Sequence, residues 1–194
     1  MNREAGHLGT AVVTVSSAKR IKVLSMGEPG VGKSCLIKRF CEGRYVPEYV
    51  STIGIDYGVK PVQVDGQEVK VNFWDVAGDP VYYEIRNEFY KDTNGALLTF
   101  DTTNRASFEA CERWVKELMT LCSNEVVVFL VANKVSLIDI KPREVSAQEG
   151  QALAETLGYR YFETSAQSGE GVESMFTQLF QRVIAAMKGK SSSG

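Results

Sequence analysis

The chain has 194 residues, of which 44% are apolar and 24% charged, and its formal net charge is −2. This length and balance are typical of one folded globular domain and unlike those of disordered or fibrous proteins. There is no basic excess to hold a nucleic-acid backbone or an anionic bilayer, so we expect no nucleic-acid partner.

Cysteine and histidine usage narrows the chemistry further. The four cysteines form no C-x-x-C pair, which favours reduced thiols and a cytoplasmic location, with nuclear or peripheral membrane association left open. The one histidine, His7, rules out histidine-based zinc sites and Ser-His-Asp catalysis. The apolar run 11–15 is too short for a membrane span.

In the first half of the chain, short apolar runs alternate with segments whose apolar residues have helical spacing. We predict a strand at Lys22–Met26, a helix at Gly32–Cys41, strands at Gly54–Val64 and Glu68–Asp75, a loop at Val76–Asp92, and a strand at Gly95–Phe100. Asp65-Gly66 between the second and third strands is a strong two-residue hairpin signal.

The second half continues the alternation. We predict a helix at Ser107–Cys122, a strand buried on both faces at the sheet's centre at Val126–Ala132, a helix at Ser146–Leu157 with a capping box, a strand at Tyr161–Glu163, and a closing helix at Val172–Met187. This order indicates an α/β fold: a mostly parallel, doubly wound six-stranded sheet with one antiparallel edge hairpin and helices on both faces. We expect one domain at 19–188, a flexible leader at 1–18 and a disordered tail at 189–194.

Residues 27–34 match the phosphate-loop pattern G-x-x-x-x-G-K-[ST] between a predicted strand and helix. Backbone N–H groups and a helix N-terminus would converge there on an anionic ligand. Lys33 would reach the β and γ phosphates, and the Ser34 hydroxyl would bind Mg²⁺. The predicted phosphate-binding residues of this loop are Gly27, Glu28, Pro29, Gly30, Val31, Gly32, Lys33, Ser34 and Cys35.

Further segments follow in the order found in Ras-superfamily small GTPases. Residues 51–57 (STIGIDY) resemble the first switch of the Rab branch, 74–78 (WDVAG) the second switch, Asn133-Lys134 the N-K-x-D element, and 163–166 (ETSA) the last base-contacting loop. Residues 101–108 (DTTNRASF) are also Rab-like, and 83–93 together with Gln167 resemble the RJL group of Rab-related proteins. The similarity extends from about Lys19 to Met187 and implies the P-loop NTPase fold of small G proteins.

The resemblance implies GTP/GDP as ligand with Mg²⁺, held by Ser34, Thr52 and Asp75. It implies catalytic roles for Lys33, Thr52 and Asp79, and it adds Thr52 and the Gly78 N–H to the predicted phosphate-binding residues, as contacts to the γ-phosphate. The implied base-binding residues are Tyr45, Asn133, Lys134, Ser136, Ser165, Ala166 and Gln167. Effector proteins would bind a monomeric chain through the switch regions Thr52–Tyr57 and Ala77–Phe89.

Three positions depart from the family pattern. Asp79 replaces the Gln that orients the attacking water, and a carboxylate cannot donate a hydrogen bond to the transition state, so we expect slow hydrolysis. Pro29 lies where an arginine finger would pass, which predicts a poor response to such activators, although it equally fits simple loop stiffening. Ser136 replaces the Asp that accepts two hydrogen bonds from guanine, which predicts weakened guanine binding. Asp139 lies three residues on and could substitute.

The leading hypothesis is therefore a nucleotide switch in intracellular signalling or vesicle traffic. A pseudo-GTPase interaction module with weak nucleotide binding and no cycling is the alternative, and a small-nucleotide kinase is disfavoured because its Arg-rich lid is missing. No cysteine follows Cys122, so the prenylation signal of ordinary Rabs is absent from this sequence. Some RJL proteins carry a C-terminal J domain, and no such domain is found in these residues.

Overall fold

The computed structural model describes residues 18–47, 51–122 and 125–191. The strands are β1 (Lys19–Met26), β2 (Ile55–Val64), β3 (Gln67–Val76), β4 (Gly95–Asp101), β5 (Val127–Asn133) and β6 (Arg160–Thr164). The helices are α1 (Lys33–Glu42), α2 (Tyr83–Asn87), α3 (Arg105–Glu109), α4 (Cys111–Leu121), α5 (Ala147–Leu157) and α6 (Val172–Ser191), with 3₁₀ turns at Pro80–Tyr82 and Val135–Asp139.

The six strands form one sheet in the order β2-β3-β1-β4-β5-β6. Only β2 and β3 pair antiparallel, and the other pairs in this sheet are parallel, which confirms the predicted doubly wound topology. Asp65 (φ 49°) and Gly66 (φ 78°) both have the positive φ that a type I′ hairpin turn requires. Pro61 lies in β2, on the sheet edge, where a missing N–H is tolerated.

Helices cover both faces of the sheet. On one face α1 and α6 pack against β1, β3 and β4 around a cluster of phenylalanines, in which the Phe40 and Phe176 rings lie 4.5 Å apart. On the other face α4 and α5 cover a second cluster that includes the fully buried Trp114 and Tyr90. Along β4, Leu97 packs into the first cluster, whereas its neighbours Ala96 and Leu98 pack into the second. All seven residues of this strand are buried. The strand is therefore buried on both faces of the sheet.

Several predicted elements differ from the structure. β5 is buried but lies second from the edge, between β4 and β6, and not at the centre. The predicted helix 107–122 is two helices, α3 and α4, divided at Ala110, whose carbonyl accepts a short-range bond from the Arg113 N–H. The predicted loop 76–92 contains a 3₁₀ turn and α2.

Helix α6 reaches Ser191, into the segment 189–194 for which we predict a disordered tail. Residues 192–194 and the leader residues 1–17 lie outside the described ranges, so the predicted domain limits stay a prediction. Within the described ranges, none of the helices has both the length and the apolar content of a membrane-spanning helix.

The predicted capping box of α5 is confirmed. The Ser146 hydroxyl accepts from the Glu149 N–H at 3.2 Å, and the Glu149 carboxylate accepts from the Ser146 N–H at 2.9 Å. Arg105 also donates to Glu149 at 2.6 Å. The Arg105 hydrogen bond and the bonds from Ser146 lower the pKa of Glu149 to about 2. Gly158 ends the helix with φ 70°, as predicted.

Because the pKa of Glu149 is lower in the folded protein than in the unfolded chain, its ionised form stabilises the fold. This contribution is fully present above about pH 4.5 and is lost as the pH falls towards 2. We expect Glu149→Gln to lower the urea midpoint at pH 7, and the difference from wild type to shrink between pH 5 and 3. Glu155→Gln on the same helix is the control. If the difference in urea midpoint between Glu149→Gln and the wild type does not change with pH, the ionised Glu149 carboxylate does not stabilise the fold in this way.

Candidate functional site

The phosphate loop joins β1 to α1 at the edge where the parallel strands end. Gly27 (φ 137°) and Gly32 (φ 96°) have a left-handed or extended-positive conformation that favours glycine. A Cβ atom on Gly27 would lie 2.2 Å from the Thr99 carbonyl oxygen, and one on Gly32 2.4 Å from the Asn133 side-chain nitrogen. No described side chain caps the start of α1, so its first N–H groups are available to an anion.

Lys33 lies inside this loop. Its Nζ donates to the carbonyl oxygens of Gly27 at 2.8 Å and Glu28 at 3.0 Å. Burial lowers the Lys33 pKa to about 8, against the opposing effect of Asp75 and Glu28. The ammonium group is therefore mostly charged at pH 7 but poorly solvated, and a phosphate would supply the missing counter-charge.

A cavity of about 200 Å³ opens in front of the loop. Eleven of the predicted residues line it: Pro29, Gly30, Gly32, Lys33, Ser34, Cys35, Tyr45, Thr52, Gly78, Asp79 and Lys134. Lys38, Val46, Pro47 and Ser51 also line it and were not predicted. The structure thus brings the predicted phosphate site and both switch regions to one cavity.

Two predicted phosphate-loop residues turn their side chains away from this cavity. Val31 is buried, and its carbonyl accepts from Asn133. The Glu28 carboxylate accepts from the Trp114 indole N–H at 2.7 Å and forms an ion pair with Arg113 of α4. Any contact of Glu28 with a phosphate must therefore come from its backbone.

Three oxygen-bearing side chains meet beside the loop. The Ser34 hydroxyl donates to the Asp75 carboxylate and lies 2.9 Å from the Thr52 hydroxyl. Thr52 also donates to Asp75 at 3.4 Å. The second carboxylate oxygen of Asp75 is buried and has no hydrogen-bond partner in the described part of the chain. Burial raises the Asp75 pKa, although the Ser34 hydrogen bond and Lys33 oppose this.

This cluster fits Mg²⁺. Hard oxygen ligands of one carboxylate and two hydroxyls are the type that Mg²⁺ takes together with phosphate oxygens. The unpartnered, buried oxygen of Asp75 is a group that a cation or its bound water would satisfy. Among the described residues, no cluster of three or more His, Cys, Asp or Glu side chains could hold a metal ion by itself. Metal binding here would therefore depend on the phosphates.

Gly78 packs directly on the phosphate loop, since a Cβ atom on it would lie 2.5 Å from both the Gly27 oxygen and the Pro29 nitrogen. The next residue, Asp79, lines the cavity and also caps the 3₁₀ turn that follows. Its Oδ1 accepts from the Val81 N–H at 2.9 Å, with Pro80 at the first position of the turn. Asp79 therefore has a structural role that the motif comparison did not indicate. Asp-Pro is a helix-start signal that could have revealed it.

A buried ion pair holds the backbone on both sides of Gly78. Arg86 donates to the carbonyls of Asp79 at 3.0 Å and Ala77 at 3.5 Å. The same guanidinium donates to both oxygens of Glu117 in α4, at 2.7 and 2.9 Å, and Tyr90 donates to Glu117 at 2.6 Å. The Arg86 and Glu117 side chains are only 3% and 6% exposed. Sequence analysis missed this group because the two partners are 31 residues apart.

A second, smaller cavity of about 40 Å³ adjoins the first and shares Gly32, Cys35, Tyr45 and Lys134 with it. The other predicted base-binding residues also line it: Asn133, Ser136, Ser165, Ala166 and Gln167. Leu137 is an additional lining residue. All seven predicted base-binding residues are therefore brought together at this end of the site.

Asn133 links the loops around this cavity. Its amide donates to the Val31 carbonyl at 2.8 Å, and its side-chain oxygen accepts from the Thr164 hydroxyl at 3.2 Å and the Ala166 N–H at 3.3 Å. Lys134 has φ 70° and pairs with Asp101 at 2.7 Å. Asn133 thereby connects the phosphate loop to the loop that follows β6.

Ser136 has a hydrogen-bond partner in the loop that follows β6. Its hydroxyl lies 2.6 Å from that of Ser165, which also accepts from the Ser168 N–H at 3.0 Å. Asp139, the residue that could substitute for the missing carboxylate, has a side chain outside the described part of the structure.

Arg39 of α1 holds the loop at 166–167. Its guanidinium donates to the carbonyl of Ala166 at 2.8 Å and to that of Gln167. Sequence analysis missed this role of Arg39.

The comparisons with known proteins agree with this geometry. A family model described as "Ras family" matches residues 22–185. The chain belongs to the Ras family. It is 51% identical over 169 residues to "DnaJ homolog subfamily C member 27" of Danio rerio, and 49% and 48% identical over 170 residues to proteins of the same name from Gallus gallus and Homo sapiens.

These matches cover 84–85% of this Ras-family chain, which in turn spans 61–62% of the length of the three relatives. The family assignment rests on residues 22–185 of this chain. Two segments that the family resemblance predicts as effector-binding present exposed apolar side chains: Ile53, Tyr57, Val81, Tyr83 and Ile85.

The buried ion pair gives a direct test of how the second switch is held. Glu117→Ala leaves the Arg86 charge buried without its partner, and we expect the free energy of unfolding to fall by about 3–5 kcal/mol in urea titrations. Glu112→Ala, at an exposed position of the same helix, should change it by less than about 0.5 kcal/mol. Equal, small effects of both substitutions would show that the pair does not stabilise this region.

Proposed function

We propose that this chain is a Rab-like, Mg²⁺-dependent guanine-nucleotide switch of the RJL group with slow GTP hydrolysis. The observation that best supports it is the contact between Thr52 of the first switch and Ser34 of the phosphate loop, 2.9 Å apart beside the Asp75 carboxylate. A bound cation and terminal phosphate would join these three side chains. The relatives' printed name, DnaJ homolog, supports the RJL placement because some RJL proteins carry a J domain.

The chain's own residues suit the binding of a phosphorylated ligand. The loop N–H groups and buried Lys33 provide positive charge, while Thr52 and Gly78 lie at the cavity wall where a terminal phosphate would be detected. Mg²⁺, when bound, supplies charge neutralisation for the phosphates. The exposed apolar side chains of the two switches then offer a surface for an effector protein, in intracellular signalling or vesicle traffic.

Slow hydrolysis follows from Asp79. A carboxylate accepts hydrogen bonds but cannot donate one to the charge that develops on the transferring phosphoryl group. Its Oδ1 is moreover already engaged by the Val81 N–H. Exposed Pro29 lines the same cavity and removes a backbone donor, so we also propose a weak response to an arginine finger.

We expect Asp79→Gln to raise the single-turnover rate of GTP hydrolysis by about 10²–10³-fold, because it restores one donor aimed at the developing charge. Asp79→Asn is the matched control: its amide also donates and is uncharged, but it is one methylene shorter than Gln and stays engaged in capping the turn, so its donor is not aimed at the phosphoryl group. We expect its rate to stay close to that of the wild type. A wild-type rate that neither substitution increases would contradict slow turnover caused by Asp79.

A pseudo-GTPase interaction module is the second candidate, favoured by Ser136 and Asp79 at two family positions. The nucleotide content of the purified protein separates the two. Denaturation and chromatography should release close to one guanine nucleotide per chain if the switch proposal is right. A protein that is purified empty and takes up no guanine nucleotide at millimolar concentration would favour the interaction module.

A further inference from the structure

The base end of the site contains a pair of hydroxyl groups where a carboxylate is usual in the family. Ser136 Oγ and Ser165 Oγ lie 2.6 Å apart, and either can be the donor. Ser165 is fully buried and Ser136 half-buried, and both line the small cavity together with the Ala166 backbone. A hydroxyl carries one proton and two lone pairs, whereas an ionised carboxylate only accepts.

The hydrogen bond between the Ser136 and Ser165 hydroxyls can run in either direction. Ser165 already accepts from the Ser168 N–H, and this leaves its proton free to go to Ser136. In that direction Ser136 can turn its own proton towards an acceptor on a ligand. If Ser136 instead donates to Ser165, its lone pairs face the ligand and accept from a donor. The hydroxyl next to the base can thus match either kind of group by rotation.

This property bears on the C2 position of a purine. Guanine has an amino donor at C2, xanthine a carbonyl acceptor, and hypoxanthine only a hydrogen atom. A carboxylate at position 136 would favour the amino group of guanine and repel the carbonyl oxygen of xanthine. The reversible hydroxyl pair has no such preference, because the loss of one neutral hydrogen bond changes affinity only by a factor of about two to ten.

The other side of the base remains selective. The Ala166 backbone lines the cavity, and its N–H donates to Asn133 Oδ1 at the long distance of 3.3 Å. An oxygen at C6 can share this donor in a three-centre hydrogen bond. Adenine has an amino group there, so donor would meet donor. The contact therefore disfavours 6-aminopurines irrespective of Ser136.

We infer that the site recognises 6-oxopurine nucleotides as a class, guanine, hypoxanthine and xanthine alike, with little discrimination at C2. This inference rests on the proposed function, since it requires that the cavity hold a nucleotide. It adds the identity of the bases that the cavity accepts and assigns the broadened selectivity to the Ser136–Ser165 pair.

The test measures affinities of GDP, IDP, XDP and ADP for the full chain, stripped of nucleotide with a chelator, by displacement of ribose-labelled fluorescent GDP in the presence of Mg²⁺. We expect GDP, IDP and XDP to bind within about tenfold of one another and ADP more weakly than all three. Ser136→Asp should tighten GDP and weaken XDP, so that the GDP preference over XDP rises at least about 100-fold.

Ser168→Ala is the matched control. It removes an exposed hydroxyl from the same loop and leaves the N–H that Ser165 uses, so the base ratios should not change. Ser136→Ala separates recognition from a purely structural bond between the two loops. If Ser136 contacts the base, GDP and XDP should both bind about two- to tenfold more weakly with their ratio unchanged. A lower melting temperature with unchanged affinities for both nucleotides would overturn the inference.

The outcomes also distinguish this inference from the proposed function. Tight GDP binding with IDP and XDP more than about 100-fold weaker would overturn the inference and leave the switch intact. Binding of none of the four nucleotides by the wild type would overturn both. A flat profile across the three 6-oxopurines that Ser136→Asp sharpens would support both.

Discussion

The buried amide of Asn133 is the contact on which the architecture of the site depends. Located where β5 ends, it bonds to the phosphate loop through Val31 and to the last loop through Thr164 and Ala166. Three connections that are far apart in sequence are thereby fixed at one edge of the sheet. Parallel strands deliver their carboxyl ends to such an edge, and a single rigid side chain then sets the distance between the phosphate and base ends. Gly32 has to be glycine because this amide lies against it.

The two unusual residues of the site are each accommodated by a local hydrogen bond. Asp79 caps the 3₁₀ turn that begins the second switch, and Ser136 pairs with Ser165. Neither residue leaves an obvious structural fault, although each removes a group that the wider family uses on its ligand. The fold thus accommodates both substitutions, because each residue finds a hydrogen-bond partner within the protein.

Local sequence patterns predict a structural feature correctly where the interaction that determines it lies within a few residues. The Asp65-Gly66 turn, the Ser146 capping box and the phosphate loop could all be predicted, because each depends on spacing within one segment. The Arg86–Glu117 pair and the Arg39 contacts with the base loop could not, since partners 31 and 127 residues apart meet only in the folded chain. The Asp79-Pro80 turn, by contrast, has a local signal, because Asp followed by Pro is typical of a helix start, and this signal coincides with the family's catalytic position.

The outer strand of the sheet has a consequence for the behaviour of the chain in concentrated solution. β2 has the antiparallel partner β3 on one side only, and it is exposed along much of its length. An open edge of this kind is a template on which a second chain can add a strand. Pro61 interrupts the row of N–H donors, and the neighbouring Lys60 turns its ammonium group to the carbonyls at the end of α1. The missing donor at Pro61 opposes aggregation by sheet extension, so the edge can stay exposed beside the first switch.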